Sequence, residues 1–151
     1  MKLAEALQRR ADLNRKIDEL RRRLVQNALT QEGEKPAEDP TDLLDQYDTA
    51  IEEYGRLIAQ INLTNSRTVR DGMTLTQLIA RKDALNVRLQ GYRDIANEAS
   101  QGAHRARATE IRVLPTVDVA ALRREADGMA KEIRRLDNLL QETNWTTELE
   151  E

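Results

Sequence analysis

Hydrophobic residues recur at alternating three- and four-residue steps in four separate stretches of this chain. In the first, Leu3, Ala6, Leu13, Ile17, Leu20 and Leu24 form a heptad-type stripe, interrupted by Arg10 and then Asn27. That is the spacing of one apolar face on a long helix. The second stretch offers Leu44, Tyr47, Ile51, Tyr54, Ile58 and Ile61, with Gly55 beside the seam. The third offers Leu78, Lys82, Leu85, Leu89, Tyr92, Ala96 and Ala99, with Lys82 its one misfit. The fourth, Val119, Leu122, Ala126, Met129, Ile133, Leu136 and Leu140, runs without a break. The spacing predicts helices over about 3–29, 41–63, 75–100 and 119–142.

Punctuation agrees with the periodicity. The polar run from Gln31 to Pro40 holds Gly33 and two prolines and reads as a loop. Asp39 is placed to cap the second helix, with Pro40 at its first position and Asp42 near the positive end of its dipole. Asp71-Gly72 marks a turn. Thr74 followed by Gln77 has the capping-box spacing, Ser100-Gln101-Gly102 reads as the end of the third helix, and Asp118 can cap the fourth. Residues 107–117 behave differently, since Ile111 and Val113 alternate with Glu110, Arg112 and Leu114 before Pro115. This reads as an extended segment or short strand, to be paired with residues around Thr68-Val69 or across a subunit boundary.

The fold class is therefore all-α: an antiparallel four-helix bundle, or long helical hairpins, with a short extended segment before the last helix. At 151 residues a single domain is expected. Composition narrows the picture. Charged residues make up 34% and aromatics only 3%, with no Phe, which suits narrow aliphatic stripes on otherwise solvated helices. Narrow stripes of this kind also suit hairpins that complete their cores with another subunit, so a homo-oligomer is expected. Mean hydropathy is -0.72, and no run is long and apolar enough to span a membrane. No secretory signal is read at the start. The cytoplasm is the expected compartment.

Charge excludes some partners. A net charge of -3 gives no global attraction to nucleic acid. Counted along the chain, residues 1–30 carry eight basic and four acidic side chains, 31–61 two and nine, 62–115 nine and five, and 116–151 five and nine. Alternation of sign suits packing between sequential neighbours.

Catalytic chemistry finds little to work with. There is no Cys and a single histidine, His104, so thiolate sites and the Glu-x-x-His pairs of di-iron bundles are excluded. No glycine-rich phosphate loop occurs, and no catalytic residue, metal ligand or cofactor is assigned. The acidic run from Glu32 to Glu53 is a solvated face. His104, Arg105, Arg107 and Arg112, with Arg67 and Arg70 elsewhere, are the residues suited to a small anion, set against ordinary loop charge. Asn62, Thr64, Asn65 and Ser66 offer hydrogen-bonding groups or simply a helix terminus. Trp145 is either a partner anchor or a cover for the end of the bundle. Asn27 and Lys82 can set register as isolated polar seam residues, or Asn27 is exposed near a helix end.

Several stretches together resemble the septicolysin-like family of bacterial proteins of unknown function. They are Lys2-Leu3-Ala4-Glu5-Ala6-Leu7, Gln31-Glu32-Gly33-Glu34 with Glu38-Asp39-Pro40, Ile61-Asn62-Leu63-Thr64-Asn65, Pro115-Thr116-Val117-Asp118-Val119 and Asn144-Trp145-Thr146-Thr147-Glu148-Leu149. The family label implies a membrane-active, pore-forming or haemolytic protein, and it supplies no catalytic residues. Three readings follow: a non-enzymatic self-associating scaffold or binding protein, the membrane-active protein of the resemblance, and an anion or nucleic-acid binder using the loop arginines.

Overall fold

A computed structural model describes residues 1–105 and 111–151, with side chains described outside 102–110. It is all-α apart from one two-residue hairpin. In chain order the elements are α1 (Leu3–Gln26), α2 (Pro40–Arg67), β1 (Val69–Arg70), β2 (Met73–Thr74), α3 (Leu75–Arg105) and α4 (Val119–Thr146). Contacts gather into two compact units, one of Met1–Val69 with Thr143–Glu151, the other of Arg70–Glu142. Each is built on a pair of helices.

In the first unit α1 packs antiparallel to α2, as the pairs Arg9–Glu53 and Arg23–Glu38 show. The α1 seam follows the expected stripe: Leu3, Ala6, Leu13 and Leu20 are buried, with Arg10, Ile17 and Leu24 half-buried between them. The α2 seam is shifted from expectation. Leu43, Ala50, Leu57, Ile61 and Thr64 are buried, whereas Leu44 and Ile51 remain 48% and 40% exposed. Tyr47 and Tyr54 are half-buried at the edge. Residues 43, 47, 50, 54, 57, 61 and 64 alternate four and three without a break, so α2 carries two apolar lines side by side, and the one facing α1 includes the small Ala50. Burying a leucine or isoleucine on such a seam contributes about 1.5–3 kcal/mol.

Helix ends also move for identifiable reasons. Asn27 is buried at the C-terminus of α1, not exposed. Its Nδ2 donates to the Arg23 carbonyl at 2.9 Å and its Oδ1 accepts from the Glu38 amide at 3.0 Å, which stops α1 at Gln26. The N-terminus of α2 is as expected: the Thr41 amide donates to the Asp39 carboxylate at 2.9 Å, with Pro40 opening the helix. α2 runs on to Arg67 because Thr64 is held from two sides, as described below.

Asp71 and Gly72, with φ of 51° and 75°, make the tight turn between β1 and β2. Positive φ at both central residues belongs to the primed hairpin turn, whose twist matches the strands. Residues Val69–Arg70 therefore pair with Met73–Thr74, not with the 107–117 segment, and the described residues 111–117 form no strand. The capping box follows, with the Thr74 amide donating to Gln77 Oε1 at 2.9 Å and the Gln77 amide donating to Thr74 Oγ1 at 3.2 Å.

In the second unit α3 and α4 are antiparallel. Leu89, Ala126 and Met129 form the core, with Leu85, Tyr92, Ala130 and Ile133 packed against it. Lys82, the misfit in the α3 stripe, reaches Asp137 at 2.5 Å, so it is satisfied across the pair. The backbone of α3 continues past Gly102 to Arg105, so His104 lies on a helix rather than in a loop. Asp118 caps α4 through the Ala121 amide at 3.0 Å.

Candidate functional site

Four features are candidates for function: a clasp between the two ends of the described chain, a cleft beside it, the outer face of α2, and a groove along α3. The clasp is built on main chain. The Leu3 amide donates to the Thr147 carbonyl at 2.9 Å and the Leu149 amide to the Met1 carbonyl at 2.8 Å, around an antiparallel bridge between Lys2 and Glu148. Thr64, fully buried, donates its hydroxyl to the Gln60 carbonyl at 2.8 Å and accepts from the Glu150 amide at 2.9 Å. Arg67 pairs with Glu150 at 2.9 Å. The Lys2 ammonium, then the terminal amine, hold the Glu148 carboxyl below its ordinary value. This use of Thr64 as an anchor was visible in the sequence only as one member of a polar run.

Beside the clasp lies an open cleft of about 600 Å³ whose lining includes Arg9, Glu53, Arg56, Gln60 and Leu149. Arg9 Nε donates to Glu53 Oε1 at 2.7 Å, and this contact, ahead of the weaker opposition from burial, lowers the Glu53 pKa. The charges are largely matched within the lining. That leaves the cleft a weak attractor for an anion.

The α2 outer face is different in character. Leu44, Ile51 and Ile58 stand seven residues apart, on one side of a 3.6-residue helix, and Tyr47 and Tyr54 border them. Toward the C-terminal end the same side carries Asn62 and Asn65. On the other side of this line stand the exposed Asp45, Asp48 and Glu52. A Cβ added at Gly55 would meet nothing within 4 Å, so no packing inside the chain requires a glycine there.

The groove belongs to the second unit. Ile95 and Ala99 on α3 and residues 113–117 line a space of about 490 Å³, with Asp94 and Glu98 at its rim. Ile95 is 48% exposed, Val113 42% and Leu114 70%. Sequence periodicity left Ile95 off the α3 stripe and read Val113 and Leu114 as part of an extended segment, which is the signal that could have found them, although it placed Ala99 on the stripe.

The residues singled out from sequence do not assemble into one site among the described residues. The side chains of His104, Arg105 and Arg107 lie outside the described residues, and Arg112 is exposed. Asn62 is exposed and Asn65 half-buried on α2. Trp145, in the last turn of α4, is 51% exposed. Among the described residues no group of three His, Cys, Asp or Glu is placed to hold a metal ion, and no helix is long and apolar enough to cross a membrane.

Fold and surface together define a class: an all-α protein of paired helices whose distinctive exposed features are apolar faces. The chain belongs to the family of unknown function DUF6847, which matches residues 10–149. It is similar to a functionally unknown conserved protein from Corynebacterium diphtheriae whose crystal structure is known, with 38% sequence identity, 99% of each chain covered and a TM-score of 0.90. No curated protein matches the chain.

Proposed function

We propose that this is a non-enzymatic protein that acts by self-association, with the outer face of α2 packing on the same face of a second copy. One observation carries the reading. In a chain with 34% charged residues, α2 keeps a second apolar line at heptad spacing, Leu44 and Ile51 exposed and Ile58 half-buried, beside the seam already used by α1 and bordered by the half-buried Tyr47 and Tyr54. Exposed apolar surface of that regularity is what an interface between helices needs.

Dimensions suit a second copy as occupant. Helices of 24 and 28 residues are roughly 36 and 42 Å long, and two side by side are about 20 Å across. One side of the α1–α2 hairpin is thus on the order of 800 Å², about the area each partner of a stable complex contributes. Two hairpins packed so make a four-helix bundle between copies.

Ile51 is the midpoint of Leu44–Ile58, so a two-fold axis through the stripe brings Ile51 against Ile51 of the second copy. The chain has no native cysteine, which makes a single introduced thiol a clean reporter. Ile51→Cys is expected to form a disulfide-linked dimer under mild oxidation, much faster than Arg22→Cys on the exposed surface of α1. Equal rates for the two would overturn the proposal. Dye release from liposomes separates the membrane-active alternative that the septicolysin-like resemblance implies. Release that persists in a Leu44→Lys/Ile51→Lys variant would put lysis in place of self-association.

A further inference from the structure

The approach to α4 holds an unusual stretch of chain. None of the residues Arg112 to Val117 makes a hydrogen bond to another described residue, and all are exposed. The ring of Pro115 disfavours the helical region for Leu114 and favours an extended backbone there. Backbone groups of this kind, left unpaired beside aliphatic side chains, are a template for an added strand. The main-chain donors and acceptors of Arg112, Val113 and Leu114 have no partner among the described residues, while Pro115 supplies an acceptor alone.

The groove beside this stretch fits one side of an added strand. Its floor is aliphatic, from Ile95, Ala99, Val113 and Val117, and Asp94 stands at its rim on α3. The Gln90 amide already donates to Asp94 Oδ1 at 2.8 Å, which fixes that carboxylate without neutralising it. An added strand alternates its side chains between two faces. Every second residue would therefore enter the apolar floor, while residues between them pass the Asp94 carboxylate.

We propose that this groove binds an extended peptide segment of a partner protein, with aliphatic residues at alternate positions and lysine or arginine between them, by strand addition along residues 112–114. The site lies apart from the α2 face and does not depend on self-association.

The test uses an acetylated, amidated hexapeptide alternating valine and lysine, titrated calorimetrically into the full chain. Saturable one-to-one binding is expected, weakening at least tenfold for a version with N-methylated amides and for the peptide with glutamate in place of lysine. Ile95→Asp and Leu114→Ser are expected to weaken binding tenfold or more, and D94N several-fold at low salt. These positions are exposed, so an unchanged melting temperature serves as the folding control. Repeating the titration in the Leu44→Lys/Ile51→Lys background separates this site from the α2 face: binding should be unaltered there. Equal binding of the lysine and glutamate peptides, or binding indifferent to N-methylation or to Leu114→Ser, would overturn the proposal. So would the absence of peptide binding together with a mass change caused by Leu114→Ser, which would seat a second copy in the groove instead.

Discussion

Two connections in this chain solve the same problem in opposite ways. Between α1 and α2, the loop is tied to the helices at both ends. Asn27 bonds to the backbone on either side of the gap, Arg23 forks onto the Glu38 carboxylate, and Asp39 caps the next helix. The approach to α4, over residues 112–117, has only the Asp118 cap at its far end. Its aliphatic side chains are exposed along the groove and its backbone groups find no described partner. A connection that serves only to turn the chain is expected to bury or bond its polar groups. One that leaves them open beside an apolar groove has the properties of a binding edge.

The largest expected effect comes from removing support beneath the tied loop. Leu20→Ala, at a fully buried position on the α1 seam, should cost about 2–5 kcal/mol in chemical denaturation. Asn27→Ala comes next, since it strands the part-buried Glu38 amide and frees the end of α1. About 1–3 kcal/mol is expected, and a smaller loss would mean that water replaces the amide without cost.

Acid sharpens the same contrast. The Arg23 guanidinium, chiefly by its hydrogen bonds, lowers the Glu38 pKa from its ordinary 4.5, and Arg9 does the same for Glu53. A carboxyl depressed in the folded state adds stability above its unfolded value and loses it as pH falls through the folded one. Stability measured by denaturation should therefore begin to drop as pH goes below about 4.5, and Glu38→Gln should make that decline shallower. The pair is solvent-accessible, so the change is small and weaker in salt. Smallest of all, Leu114→Ser on the open connection should leave stability within about 0.5 kcal/mol of the parent. A loss comparable to that of Asn27→Ala would show that residues 112–117 are structural after all.

Much of this architecture was legible in the residues. The α1, α3 and α4 seams, the Asp39 and Asp118 caps, the Asp71-Gly72 turn and the Thr74–Gln77 box follow from spacing and local chemistry. The phase of α2 was not legible. Two apolar lines one residue apart, 43-50-57 and 44-51-58, have the same period, and periodicity cannot say which of them meets α1. The larger side chains drew attention to the outer line, while Ala50 permits the closer approach on the inner one. The pairing with Thr68-Val69 offered for the extended segment before α4 was not met, for another reason. Alternation at Ile111 and Val113 describes a stretch able to pair, yet pairing needs a neighbour, and Val69–Arg70 is already taken by Met73–Thr74. Thr64 was hidden because its partner, the Glu150 amide, lies 86 residues away.

The central claim is that α2 presents its second apolar line to another copy of the chain. Sedimentation equilibrium over a range of micromolar concentrations tests it most directly. The parent protein should show a mass rising with concentration from 17.3 kDa toward twice that value, and Leu44→Lys/Ile51→Lys should stay at the monomer mass with its helical content intact. A parent protein that remains monomeric throughout, or a variant that associates as the parent does, would contradict it.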